Sequence, residues 1–480
     1  MVELSRRDWL KGAAATVAAA QMGAGSLVAR AEGLPEARPK ASERRFVSEA
    51  IEEQIKAVRA RIADPELATV FANCYPNTID TTVHFGTLDG KPDTYVVTGD
   101  IDAMWLRDSS AQVWPYLPLA KKDDRLRQMI EGAIRRQARC ILIDPYANAF
   151  MHDAAAKTLE WSVTDQTDHI PGVGERKWEI DSLCYPMRLA YGYWKTTGDT
   201  QPFDATWKEA AWTVVKTFRT QQRKNGQGPY HFQRAVEKPT DTLAMAGYGY
   251  PAKPVGLIFS GFRPSDDSCI YPLFIPANHF AVATLRHLAE MAHAILHDEP
   301  LATEATALAD EVSAALAIYG KAHHPKHGEI WAYEVDGFGN TLMMDDANAP
   351  GLLSMAYLGL AKNDDPLYRR TRGFALSEEN PYFFRGKSAE GIGGPHVAMD
   401  MIWPMSIIMR AFSAIDEQEI RACLRTLTRT TAGTGMMHES FHKDDPSKFT
   451  RAWFAWANTL FGELVVKLAA ERPSMLGVRL

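Results

Sequence analysis

The sequence predicts an all-α protein, an (α/α)6 barrel: a toroid of six helical hairpins with small β-hairpins in its loops, filling 43–480 as a single domain. Three observations lead there. Apolar helix candidates alternate with amphipathic ones along the whole chain beyond residue 42. The more apolar member of each pair follows a loop rich in acids, Trp and Arg. No compositional break or long linker divides the chain. Recurring helix pairs mark a helical-hairpin array. An open solenoid would show near-uniform repeats with polar end caps. Long, unequal loops that always precede the apolar helix fit a closed ring better, with apolar helices inside and the loops converging on one rim.

Taken in order, Phe46, Ile51, Ile55, Val58 and Ile62 recur at three- and four-residue steps and predict an amphipathic helix over 43–64. The β-prone residues of 80–98, broken by Leu88-Asp89-Gly90, predict a hairpin. An apolar helix is expected over 110–120 and an amphipathic one over 125–143. Helices follow over 181–197, 204–222, from 267, and over 301–320. Another small hairpin is expected near 333–338. The remaining helices are expected over 349–360, 365–375, 402–414, 416–431 and 451–470.

The chain has 480 residues, 46% of them hydrophobic and 23% charged, with a net charge of −6. That composition is ordinary for a globular protein, and its sign gives no reason to expect nucleic acid or an anionic membrane surface as a partner. Nothing after the leader is a long enough apolar run to span a bilayer. Cys74, Cys140, Cys184, Cys269 and Cys423 are scattered and odd in number, so they read as buried thiols rather than a disulfide or zinc framework.

Residues 1–31 read as a twin-arginine signal peptide. Arg6-Arg7 precede an Ala- and Gly-rich segment, and Ala29-Arg30-Ala31 fits a small-x-small cleavage site. The expected partner is the twin-arginine export machinery, the expected location periplasmic or secreted, and 32–42 reads as linker.

Six openings carry polar or acidic residues ahead of an apolar helix candidate. If they converge, the rim collects Asp100, Asp102, Trp105, Arg107, Asp108, Asp181, Asp266, Asp267, Asp345, Asp346, His396, Asp400, His438, Glu439, Arg451, Trp453 and Trp456. Carboxylates and Arg pair with vicinal hydroxyls, and aromatic faces stack on a pyranose. This mixture describes a sugar pocket, with no cofactor and no His- or Cys-rich ligand set for a metal. Hydrolysis of a glycosidic bond needs one carboxyl group to protonate the leaving oxygen and another to activate water. Asp266, whose neighbour Asp267 can raise its pKa by like-charge repulsion, is the candidate acid, with Asp267 the alternative. Glu439, from a distant loop, is the candidate base. Asp108, Asp181, Asp346 and Asp400 read as caps of inner helices that also hold substrate hydroxyls.

At these residues the sequence resembles a known family. Thr98 to Ser109, Phe262-Arg263-Pro264-Ser265-Asp266-Asp267, Met437-His438-Glu439-Ser440-Phe441 and Thr450 to Asn458 look like the motifs of glycoside hydrolase family 125. The resemblance runs from about residue 42 to the end of the sequence. It implies an (α/α)6 exo-α-1,6-mannosidase that needs no metal, inverts the anomeric configuration and takes a mannose-containing oligosaccharide. It carries the acid to Asp266 and the base to Glu439. Two other classes remain as alternatives: another toroidal sugar enzyme, such as an α-glucosidase or an epimerase using His396 and His438, and a non-catalytic glycan-binding protein.

Overall fold

Each of the first five inner elements of the structure, a computed structural model describing residues 33–480, hands the chain to an outer helix packed against it. The inner–outer pairs are α3 (Leu106–Val113) with α4 (Asp124–Ile143), α5 (Ile180–Thr197) with α6 (Ala205–Gln221), and α7 (Ile275–Met291) with α8 (Glu299–Tyr319). Next come a single 3-10 turn, Leu353–Met355, with α9 (Pro366–Ala375), and α10 (Pro404–Ser413) with α11 (Glu417–Arg429). The sixth hairpin closes the ring with the two ends of the fold. The last helix, α12 (Ala455–Glu471), is inner, and its outer partner is α2 (Pro65–Cys74), flanked by α1 (Glu49–Arg59). The chain is an (α/α)6 barrel.

The two kinds of helix start differently. The outer helices begin on a side-chain cap: Ser48, Asp64, Asp123, Asp204, Asp298, Asp365 and Asp416 each accept a hydrogen bond from a first-turn N–H. The inner helices have no such cap. The residue before each is Trp105, Glu179, Phe274, Trp403 or Phe454. Short strands lead into three of them: β3 (Met104–Trp105), β6 (Leu273–Phe274) and β13 (Met401–Ile402). Each of these joins a three-stranded ribbon from neighbouring loops: β3 with β4 (Ala149–Phe150) and β5 (Val173–Glu175), β6 with β9 (Glu334–Val335) and β10 (Thr341–Leu342), and β13 with β14 (Phe441–His442) and β15 (Asp445–Phe449). The other strands form two-stranded hairpins, β1 (Val83–Leu88) with β2 (Lys91–Val96), β7 (Lys321–His324) with β8 (Gly328–Trp331), and β11 (Phe383–Arg385) with β12 (Glu390–Ile392). The ribbons knit the loops at the entry end of the inner helices into a rim. Backbone partners in the ribbons replace part of what a capping side chain would do, so the acids near these openings are available for other contacts.

That overturns the expectation that Asp108, Asp181, Asp346 and Asp400 are caps. Asp108 and Asp181 lie inside the first turns of α3 and α5, and both carboxylates turn to Arg107. Asp346 accepts from Ser265 Oγ at 3.2 Å, and Asp400 pairs with Lys443 at 2.8 Å. Other departures have local causes. The helix expected over 349–360 shrinks to the Leu353–Met355 turn, because Pro350 and Gly351 interrupt it and Asp345 takes the N–H groups of Leu352 and Leu353. The helix expected over 110–120 starts earlier and gives way to a 3-10 stretch, Trp114–Lys121, that holds Pro115 and Pro118. The helix expected from 267 begins only at Ile275, after a turn and strand β6. The 32–42 stretch does not hang free from residue 34 onward. Arg38 pairs with Glu52 at 2.6 Å and Asp80 at 2.8 Å, and residues 34–480 form one compact unit. The expected leader falls outside the described residues. All five cysteines are buried free thiols.

Candidate active site

The rim ribbons surround a cleft enclosing about 440 Å³, its open mouth included, and lined by residues from five separate openings, Asn348 among them. Trp105, Arg107 and Asp108 come from the β3–α3 entry, Asp266 from the loop before β6, His396 and Trp403 from the α10 entry, and Glu439 and Arg451 from the α12 entry. A larger cavity of about 660 Å³ lies around Asp165 and Glu175, but both carboxylates there are engaged by the buried Arg234 at 2.6 and 2.9 Å. The smaller cleft is where carboxyl groups from distant loops face a common space.

Asp266 sits on a turn whose backbone is held at both ends. Asp266 N–H donates to Arg263 O at 2.9 Å, and Arg263 N–H to Asp267 O at 2.8 Å. Arg263 Nε is paired with Glu334 Oε1 at 2.6 Å, both side chains fully buried, while Glu334 Oε2 accepts the N–H groups of Ile270 and Tyr271. One carboxylate on strand β9 thus anchors the turn on either side of Asp266. Asp266 itself has φ +64°, a left-handed conformation that costs a non-glycine residue on the order of 1 kcal/mol and persists only where surroundings impose it. The strain points its side chain into the cleft. Asp267 takes the other direction. It is 1% exposed, does not line the cleft, and faces Lys238 Nζ at 3.1 Å and His396 Nδ1 at 3.8 Å.

Arg107 is the electrostatic centre. Its guanidinium reaches four carboxylates: Asp108 at 2.6 Å, Asp266 at 2.9 Å, and Glu179 and Asp181 each at 3.2 Å. Four buried or half-buried acids on one cation cannot all be ionised without a large desolvation cost. Burial pushes Asp108 up to about 6 despite Arg107, and Asp181 up to about 7. Burial also lifts Glu179 well above the carboxylate range, reinforced by Asp266 and Asp181. Asp266 goes the other way: burial opposes its charge, but Arg107 and Lys177 outweigh it and hold its carboxyl well below the usual range.

Glu439 stands on the opposite loop, which is locked to the start of α12. Met437 N–H donates to Asn458 Oδ1 at 2.8 Å and Phe454 N–H to Met437 O at 2.9 Å. Arg451 Nε donates to Glu439 Oε1 at 3.1 Å, and the same guanidinium pairs with Asp100. Trp105 and Trp403 line the cleft with buried indole N–H groups that have no protein partner, as does the buried Thr98 hydroxyl. These are donors placed for a polar ligand.

Of the residues expected at the rim, the cleft brings together Asp266, Glu439, Trp105, Arg107, Asp108, His396 and Arg451. Asp102 is exposed outside it, and Trp453 packs beside Gly99. Asp181 acts behind Arg107, and Asp346 and Asp400 have the partners given above. His438 is fully buried, stacked on Phe449 with ring centroids 4.0 Å apart, and donates through Nδ1 to Arg451 O at 3.0 Å. It therefore forms no pair with His396 across the cleft. Sequence reasoning missed Glu179, Lys177, Asn348 and Trp403. For the first two a signal exists, since Glu175 to Asp181 repeats the acid–base–aromatic mixture of 98–108 directly ahead of an inner helix.

The chain matches the family described as metal-independent alpha-mannosidase, glycoside hydrolase family 125, over residues 64–466. The chain belongs to this family. The meiotically up-regulated gene 157 protein of Schizosaccharomyces pombe is 42% identical over 460 residues, covering 92% of this chain and 90% of that one. A solved Streptococcus pneumoniae metal-independent α-mannosidase, in a non-productive substrate complex with α-1,6-mannobiose, is 41% identical. It superposes with a TM-score of 0.85 over 89% of this chain and all of that one. A bacterial glucoamylase bound to acarbose, 13% identical with a TM-score of 0.52 over 85% of this chain and 57% of its own, shares the fold alone. The family 125 enzyme is thus an α-mannosidase, and the α-glucosidase, epimerase and glycan-binding alternatives fall away.

Proposed function

We propose that the enzyme releases terminal, non-reducing mannose from α-1,6-linked mannosides by a single displacement with inversion. Asp266 is the general acid and Glu439 the general base. The observation that carries this reading is that these two carboxyl groups, from loops on separate hairpins, line one cleft while Asp267 turns away from it. In the reaction, Glu439 takes a proton from a water that attacks the anomeric carbon. The bond to the leaving sugar breaks as Asp266 gives its proton to the departing oxygen. Arg451 holds one oxygen of Glu439, which leaves the carboxylate oriented for the water. Trp105, Trp403, Arg107, Asp108 and His396 supply donors, acceptors and an aromatic surface for the mannose. The α-1,6 linkage is the one bound in the streptococcal relative. The test is mannose release from α-1,6-mannobiose by wild type, Asp266→Asn and Glu439→Gln. Each substitution should lose about 10²–10⁴-fold in turnover, the span typical of general acid–base groups. An unimpaired Glu439→Gln would remove the base assignment.

We also infer export by the twin-arginine route, with a mature chain starting near Glu32 and a periplasmic or secreted enzyme. The support is the Arg6-Arg7 pair ahead of the Ala-rich segment. Replacing both arginines by lysine should leave the protein in the cytoplasm; unchanged export would refute the assignment.

A further inference from the structure

Glu179 lies at the end of the 175–179 run and immediately precedes α5, at 0% exposure. It is the only one of Arg107's three other carboxylates to share a nitrogen with Asp266. Arg107 Nη2 reaches Asp266 Oδ1 at 2.9 Å and Glu179 Oε2 at 3.2 Å, whereas Asp108 and Asp181 sit on Nη1 and Nε. Ser182 Oγ donates to Glu179 Oε2 at 2.8 Å, fixing that side chain from below. Held on one nitrogen, the two carboxyl groups lean on a single cation, and a proton on one of them relieves the repulsion between them. The Asp266 side chain is 23% exposed and that of Glu179 not at all, so one member faces substrate and the other is sealed behind it.

We propose that Glu179 is the positioning partner of the acid: the two carboxyl groups hold a single proton between them, and that proton is the one Asp266 delivers to the leaving oxygen. The inference rests on the reading of Asp266 as general acid. It answers a difficulty in that reading. Arg107, Lys177 and His396 all favour an ionised Asp266, which taken alone would have no proton to give near neutral pH. The charged and titratable groups around the pair are these three, Asp108 and Asp181 on the helix side, and Tyr230 beneath. Of these groups, Glu179 is the carboxyl group that shares Arg107 Nη2 with Asp266. The cycle balances. The resting pair is Glu179–COOH with Asp266–COO⁻. As the glycosidic bond breaks, Asp266 draws the proton from Glu179 and passes it to the departing oxygen, leaving both carboxyl groups ionised. Glu439 meanwhile holds the proton taken from water. After the products leave, Glu439 releases one proton to solvent and the pair takes one up.

The experiment compares Glu179→Gln with wild type on α-1,6-mannobiose and on α-mannosyl fluoride, whose leaving group needs little protonation. For mannobiose, the alkaline limb of the kcat/KM profile should move at least one pH unit toward acid, with a loss of about 10–100-fold at pH 7. Turnover of the fluoride should stay within about threefold. Equal losses on both substrates, or an unmoved alkaline limb, would reduce Glu179 to a structural partner of Arg107 and overturn the proposal. Asp266→Asn on the same two substrates tests the underlying reading separately: a loss on mannobiose with the fluoride retained upholds it, whatever Glu179→Gln does. Should Glu179→Gln fail to fold, wild type alone decides. An infrared band of a protonated carboxyl group should disappear with rising pH at the midpoint of the alkaline limb. If no such band titrates with activity, the shared proton is excluded.

Discussion

Arg107 Nη2 and Asp266 Oδ1 meet at 2.9 Å across 159 residues of sequence, joining the first inner helix to the turn that carries the candidate acid. The contact fixes which of two adjacent acids faces the cleft. Asp267, one residue on, is turned to Lys238 and His396 instead.

The neighbours are therefore expected to behave differently. Asp266→Asn should lower kcat on α-1,6-mannobiose by about 10²–10⁴-fold with the fold intact. Asp267→Asn loosens the contact to His396 and should chiefly raise KM, with kcat within about fivefold. Steady-state kinetics of the two variants check this, and a larger kcat loss in Asp267→Asn would reverse the assignment.

Closure of the ring depends on a close approach between its two ends. A Cβ at Gly462 of α12 would lie 2.7 Å from Tyr75 Cα, a backbone atom at the end of α2 that has little room to move. Gly462→Ala gains helix propensity but overpacks this crossing, with a net cost of about 1–2 kcal/mol. A lowered Tm by thermal unfolding is the expected result; an unchanged or raised Tm would mean the helices separate freely there.

Stability on the acid side carries a contribution from His279. Its ring meets Trp331 edge-on with centroids 4.4 Å apart, Nε2 is buried without a partner, and burial lowers its pKa to about 4. As pH falls, the unfolded chain takes up the proton near the ordinary value of about 6.5, before the folded state does. The contribution is thus present in full above that value and is lost as pH drops toward 4. Between pH 7 and pH 5 wild type should lose about 1–2 kcal/mol more stability than His279→Gln. Denaturant unfolding at the two pH values measures it, and parallel losses in both proteins would rule the effect out.

The toroid was legible because its outer helices are amphipathic and begin on Asp caps, two signals that depend on local sequence alone. The inner helices were located less well. Their starts are set by ribbon pairing between distant loops, so the acids at 266–267 signal a helix start where the chain first makes a turn and strand β6. The same cause misled the reading of Asp346 and Asp400. An acid ahead of an apolar run reads as a cap, but here Ser265 and Lys443 claim the carboxylates. Asp266, Glu439, Trp105 and Arg107 were readable because each sits in a dense mixture of acid, aromatic and Arg. Glu179 sits in a similar mixture at 175–181, but its role is not legible there, since it lies in sharing Arg107 with a turn 87 positions further on.

The central claim, that Asp266 and Glu439 act on opposite sides of the anomeric carbon in a single displacement, is tested most directly by the first anomer released. Proton NMR of α-1,6-mannobiose during early turnover, before mutarotation, should show β-mannose accumulating first and α-mannose appearing only as the product equilibrates. Glu439→Gln should abolish that signal. Initial release of α-mannose, or a mannosyl group trapped on Glu439, would contradict the account.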